Sequence, residues 1–285
     1  MLFTETLADL HLSVKQATEE LFSVAIRNQT HPQDLLLVNE NAGPNKMGIT
    51  NPHLVGSISG YGYGQGIEGF VEQCQSKFYK GYVNTTFSKM QVMQDLKTSA
   101  ELQETEENSI HLELLLYLKF WESESILKKL SQLTRLAMGQ DFDWNFKFED
   151  HTLHDLIRCD IRDNLKTICP LMYDVIKKTY LSQLRHVAAH SQYYFFFNTR
   201  MMHFSNYDPA KHNFLKVLSF DDWEPKIHNI ALLYSELNKC THKYHGIYKA
   251  QAVSNNNQLE FRDWEGRFRT FQYDANYDRW NTLQL

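Results

Sequence analysis

The sequence predicts a mainly α-helical bundle that ends in a small β-hairpin. Three observations predict this fold. Apolar residues recur at helical spacing through residues 109–190, with only short links between the blocks. One stretch near the end, residues 259–273, alternates as a strand pair does around a glycine. No apolar run approaches the roughly 20 residues needed to cross a bilayer, so the helices are expected to pack on one another.

The elements follow in chain order. Leu7, Leu10, Val14, Leu21, Val24 and Ala25 recur at spacings of three, four and seven, which predicts a helix over 5–27. Residues 28–51 contain Pro32, Gly43, Pro44 and Gly48 and read mainly as loop. A glycine-rich stretch, Gly60-Tyr-Gly-Tyr-Gly-Gln-Gly66, follows, and 67–97 have room for one or two short helices. Glu101, Glu104, Glu106 and Glu107 mark 98–108 as an acidic boundary or a helix N-terminus. Residues 109–138 form the clearest helical block, with Asn108 or Ser109 as N-cap and Gly139 as the stop signal. An aromatic link, 142–148, leads to a helix over 152–168. Pro170 breaks or restarts the helical pattern, which then runs over 171–190. Residues 193–204 are aromatic and apolar enough to be extended. A last helix is expected over 220–245, and Glu265-Gly266-Arg267 turns a hairpin between 259–264 and 268–273.

Composition narrows the function classes. Hydrophobic residues make up 42% and charged residues 22%, the balance of an ordinary globular protein. The net charge of -5 argues against a broad RNA-coating surface, though it leaves room for a nuclease with a local cleft. The four cysteines, at 74, 159, 169 and 240, form no C-x-x-C pair and read as reduced thiols. The start, Met1-Leu2-Phe3-Thr4-Glu5, lacks the basic and apolar regions of a secretory signal, so a cytoplasmic location without membrane contact is expected.

The most informative stretch is Leu184-Arg-His-Val-Ala-Ala-His-Ser-Gln-Tyr193. Arg185 and His190 lie at the end of a helical segment with small residues between them. A guanidinium holds a phosphate through parallel hydrogen bonds, and an imidazole exchanges protons near neutral pH. Together they suffice for cutting RNA without a metal. The bland reading is a helix-end histidine favoured by the dipole and an arginine paired with a carboxylate. A near match, Arg27-Asn-Gln-Thr-His31, has one residue fewer between its ends and reads as a helix end.

Arg185-His186-Val-Ala-Ala-His190 resembles the signature of the HEPN superfamily: an arginine, a polar residue, three variable residues and a histidine. These are α-helical ribonucleases and nucleotide-binding modules. The resemblance covers roughly residues 109–245 and is specific at the motif. It implies a HEPN-like helical bundle over 109–250, with an N-terminal helical and loop extension (1–108) and the hairpin tail (251–285). It also implies an endoribonuclease acting by 2′-hydroxyl transesterification, a homodimer with a composite cleft, and a toxin or antiviral defence role with an antitoxin or regulatory partner. The alternative it leaves open is a non-catalytic module binding a nucleotide or a protein. Some members place a tyrosine two residues after the histidine; here Tyr193 comes three after.

Roles follow for the remaining candidates. Arg185 and His190 are the expected catalytic pair, and His186, four residues before His190, orients substrate or stays solvated. Arg185 and His190 are five positions apart, so they point about 140° apart on a regular helix and converge poorly within one chain. Tyr193 is an accessory candidate. Asp160 and Asp163 on the preceding helix are candidates to orient the pair, with a solvated charge face as the favoured reading. No metal or cofactor is called for. Cys240, His242 and His245, and likewise His151 and His154, fall short of a tetrahedral set and read as surface histidines. The aromatic run 193–197 offers base stacking or core. Arg262, Arg267, Arg269 and Arg279 beside Phe261, Trp264, Phe268 and Tyr273 offer an RNA grip, a dimer contact or cross-strand pairs.

Overall fold

The computed structural model describes residues 4–40, 42, 100–196, 199–210, 214–276 and 278–282. The glycine-rich stretch 60–66 and the helices expected over 67–97 lie outside the described residues. The chain is mainly helical, with two three-stranded antiparallel sheets. Among the described residues no helix is long and apolar enough to cross a membrane.

The elements are α1 (Thr4–Asn28), α2 (Asp34–Asn39), α3 (Ala100–Glu122), α4 (Glu124–Ala137), α5 (Leu153–Asp155), α6 (Pro170–Thr179), α7 (Ser182–His190) and α8 (Phe220–Ser254). The strands are β1 (Tyr193–Phe195), β2 (Met201–Phe204), β3 (Val217–Ser219), β4 (Gln258–Arg262), β5 (Phe268–Asp274) and β6 (Arg279–Thr282). The chain divides into two compact units interleaved along its length, with boundaries that fall inside α1, α6 and α8. The first comprises 1–15, 75–123 and 174–234; the second comprises 16–74, 124–173 and 235–285.

In the first unit, α7 packs on α3, and β1, β2 and β3 pair in that order. Aromatic rings fill the core: Tyr117 against Trp223 (5.4 Å between centroids) and Trp121 against Tyr180 (5.1 Å). Glu113, fully buried, accepts from Trp223 Nε1 (2.7 Å) and Ser109 Oγ (2.5 Å). The Tyr117 hydroxyl accepts the Leu181 N–H (2.8 Å) and lies 3.2 Å from the Thr179 and Leu181 carbonyls. It thereby meets the backbone groups freed where α6 ends and α7 begins. Gln183 fixes the approach to β3, donating to the Leu215 carbonyl (2.8 Å) and accepting its N–H (2.7 Å).

In the second unit, α4 packs on α2 and on a π-helical segment, Leu156–Arg162, that follows α5. Phe22 stacks on Tyr244 at 5.5 Å, and Phe261 on Phe271 at 3.7 Å. Gly139, at φ +74°, ends α4 in the left-handed conformation, and Gln140 N–H returns to the Arg135 carbonyl.

Several expected boundaries shift. The block 109–138 is two helices parted at Ser123, and α3 already runs from Ala100. Ser109 is therefore no N-cap; its hydroxyl serves the Glu113 side chain inside the helix. The glutamates of 98–108 belong to the helix, where acidic residues near the N-terminus suit the dipole. The 171–190 pattern is likewise two helices, because the buried Tyr117 hydroxyl holds Leu181 extended. Helix α2 was missed because six consecutive buried residues show no period. Helix α8 continues to Ser254, and the hairpin gains β6 through Trp280, which packs on Tyr273 at 5.2 Å.

Candidate functional site

The motif lies in the first unit. α7 is a regular helix of nine residues through His190, and Ser191 closes it at φ 52°, in the left-handed region. Gln192 N–H bonds back to the Val187 carbonyl (3.0 Å). Val187 and Ala188 are buried, while His186, Ala189 and His190 are exposed. The small residues of the motif thus serve close packing and leave both imidazoles at the surface.

Arg185 is 18% exposed and donates from Nη1 to Glu122 Oε1 at 3.1 Å. Its Nε is shielded from solvent and has no hydrogen-bond partner among the described residues. The guanidinium is therefore neutralised on one side and underused on another. His186 and His190 stack, with centroids 5.9 Å apart and planes 17° from parallel. Among the described residues no hydrogen bond or ion pair joins Arg185 to His190. This fits their separation around an undistorted helix.

Tyr193 opens β1, and its hydroxyl meets His111 Nδ1 on α3 at 2.7 Å. The His111 ring also packs on Phe195, 4.9 Å away. Burial lowers the His111 pKa and raises that of Tyr193, so at neutral pH the contact joins a neutral imidazole to a neutral phenol. His111 was absent from the sequence reading. It lies 82 residues from its partner, inside a leucine-rich helix, and no local pattern marks it.

Asp160 and Asp163 belong to the second unit. Asp160 pairs with His151 at 3.1 Å and Asp163 with Arg162 at 2.6 Å. The aromatic run divides: Tyr194 and Phe196 are exposed, and both pack against His203, Tyr194 stacked at 5.3 Å and Phe196 edge-on at 4.6 Å. Among the hairpin arginines, Arg267 and Arg269 both bind Asp263, so the basic and aromatic alternation there is largely internal.

One expectation needs correction. His245 is not a surface histidine; it is buried, with Nδ1 2.8 Å from Glu40 Oε1 and Nε2 3.5 Å from Asp278 Oδ1. Asp278 also accepts from Lys249 Nζ (2.9 Å) and Tyr273 Oη (2.5 Å). Burial alone would lower the His245 pKa, but the two carboxylates outweigh it and raise it. The Tyr273 hydrogen bond, then the Lys249 and His245 contacts, hold the Asp278 carboxyl down at about 2. His245 lies on the same helix as His242 and Cys240, and only the fold brings the distant Glu40 to it. Among the described residues no group of three or more histidines, cysteines or carboxylates is placed to hold a metal ion.

No family model, curated protein or solved structure matches this chain.

Proposed function

We propose that the chain is a metal-independent endoribonuclease with a HEPN-like bundle, working as a homodimer whose two α7 ends share one phosphate. The observation that carries this reading is the pair of exposed, stacked imidazoles at the end of α7, on the same short helix as the part-exposed Arg185 guanidinium. His190 takes the proton from a ribose 2′-hydroxyl, and O2′ attacks phosphorus as the P–O5′ bond breaks. Arg185 stabilises the charge that builds on the phosphoryl oxygens. The second copy's imidazole returns a proton to O5′. The products are a 2′,3′-cyclic phosphate and a 5′-hydroxyl, and DNA is refused for lack of the 2′-hydroxyl. A cytoplasmic toxin or antiviral role, held in check by a partner, belongs to the same reading.

A second reading is favoured by the Glu122 ion pair, because a neutralised guanidinium suits a non-catalytic module that binds a nucleotide or protein. Incubation with mixed RNA in EDTA separates the two. Cleavage leaving cyclic-phosphate ends, reduced at least about a hundredfold by His190→Ala with unchanged circular dichroism, supports the nuclease. RNA binding without cleavage supports the module. Undiminished cutting by His190→Ala removes the nuclease assignment to this site.

A further inference from the structure

The second unit contains an open cleft of about 290 Å3 between the start of α2, the loop after α4 and the β4–β5 turn. It includes His31, the histidine of the near match that read only as a helix end. Its polar groups are fixed before anything binds. Arg262 donates from Nε to the Gly266 carbonyl (3.1 Å) and from Nη1 to His31 Nε2 (3.1 Å). A Cβ on Gly266 would fall 3.2 Å from Arg262 Nη2, so the glycine leaves room for the guanidinium. Arg135 donates from Nε to the Asp141 carbonyl (3.3 Å). Asp143 is gripped through its backbone by both ends of the Gln132 amide. Asp34, only 2% exposed, accepts the His31 N–H at Oδ2 (3.1 Å) and lines the cleft. Trp264, edge-on to Trp144 at 5.8 Å, supplies a half-exposed ring.

The geometry points to a binding site for a neutral polyhydroxylated ring, a saccharide, in this cleft. Both guanidiniums have Nε engaged and meet a ligand through their remaining Nη donors, while Asp34, Asp141 and Asp143 in the same lining offset the positive charge that would favour an anion. Asp34 and Asp143 each have one oxygen taken, so they offer single acceptors. Mixed single donors and acceptors match hydroxyls, each of which gives and takes one bond. The ring of Trp264 suits the C–H face of a sugar. Burial pushes the Asp34 carboxyl up to about 6, against the pull of the His31 N–H and Arg262. An ionised carboxylate kept there destabilises the fold, and a ligand hydroxyl would relieve it.

Saturation-transfer NMR on the full chain tests this. The probes are glucose, galactose, N-acetylglucosamine and ribose, with adenosine as the nucleoside source of a ribose ring. Glucosamine serves as the cationic analogue and glucuronate as the anionic one. At least one neutral sugar or the nucleoside is expected to bind at about 10 mM, with affinity reduced about tenfold in Asp34→Asn and in Trp264→Ala. Asp34→Asn is also expected to melt about 3 °C higher at pH 7.5, so its lost binding does not come from unfolding. The proposal is overturned by transfer to the charged analogues alone, by no transfer to any probe, or by binding that Asp34→Asn retains. It stands or falls independently of RNA cleavage.

Discussion

The end of α7 and the cleft beside α2 differ in how their polar groups are held. At α7 one ion pair to Glu122 restrains Arg185, and the imidazoles rest on each other at the surface. In the cleft, Arg262 is anchored at two atoms, Asp143 is held through both its N–H and its carbonyl, and Asp34 is a buried part of the lining. The first region has its chemistry written in six adjacent residues. The second draws on three segments that are distant in sequence. Adjacency in the chain provides candidate groups, but preorganisation comes from contacts across the fold.

Asp263 probes this difference hardest. Its buried carboxylate accepts from the N–H groups of Glu265 and Arg267 and from the Nε atoms of Arg267 and Arg269. Asp263→Ala is expected to cost about 4 kcal/mol in denaturant unfolding and to loosen the turn that carries Trp264. A loss below about 1 kcal/mol would mean that the turn is held by something else.

The next effect is a pH dependence. Asp34 is raised to about 6 when folded, so between pH 4 and 6 the folded chain keeps a proton that the unfolded chain has lost. The Asp34 contribution to stability therefore falls as pH rises through that window, by about 3 kcal/mol in all. Asp34→Asn should flatten this slope. His245, raised by its carboxylates, stabilises fully below about pH 6.5 and loses that contribution as pH climbs through its folded value, so the variant should still weaken on the alkaline side. A wild-type curve that runs parallel to that of Asp34→Asn from pH 4 to 6 would contradict the raised Asp34 carboxyl.

The smallest effect belongs to α7. Glu122→Gln removes a part-exposed ion pair and should shift stability by less than about 1 kcal/mol. It should also strengthen RNA binding several-fold in filter assays at low salt, because Arg185 gains a free charge. Weaker binding would assign Arg185 a purely internal role.

The sequence made the long elements legible where a period existed. α1 appears within one residue at each end, and Gly139 stops α4 where its left-handed φ requires. The breaks at Ser123 and Tyr180 were hidden, because apolar spacing continues across them, and at Tyr180 the cause is the distant Tyr117 hydroxyl. α2 was hidden because burial on every side erases periodicity. At the motif, the positions of Arg185, His186 and His190 on one helix could be read directly, but the Glu122 and His111 partners could not. No local pattern pairs residues 63 or 82 positions apart.

Helix α7 has only nine residues, held at its start by a phenol from α3. An isolated segment of that length is mostly coil in water. The angular placement of Arg185 and His190 is thus conferred by the surrounding protein. An excised 182–193 peptide, or the same letters grafted into a foreign loop, would keep the spelling of the motif and lose its shape.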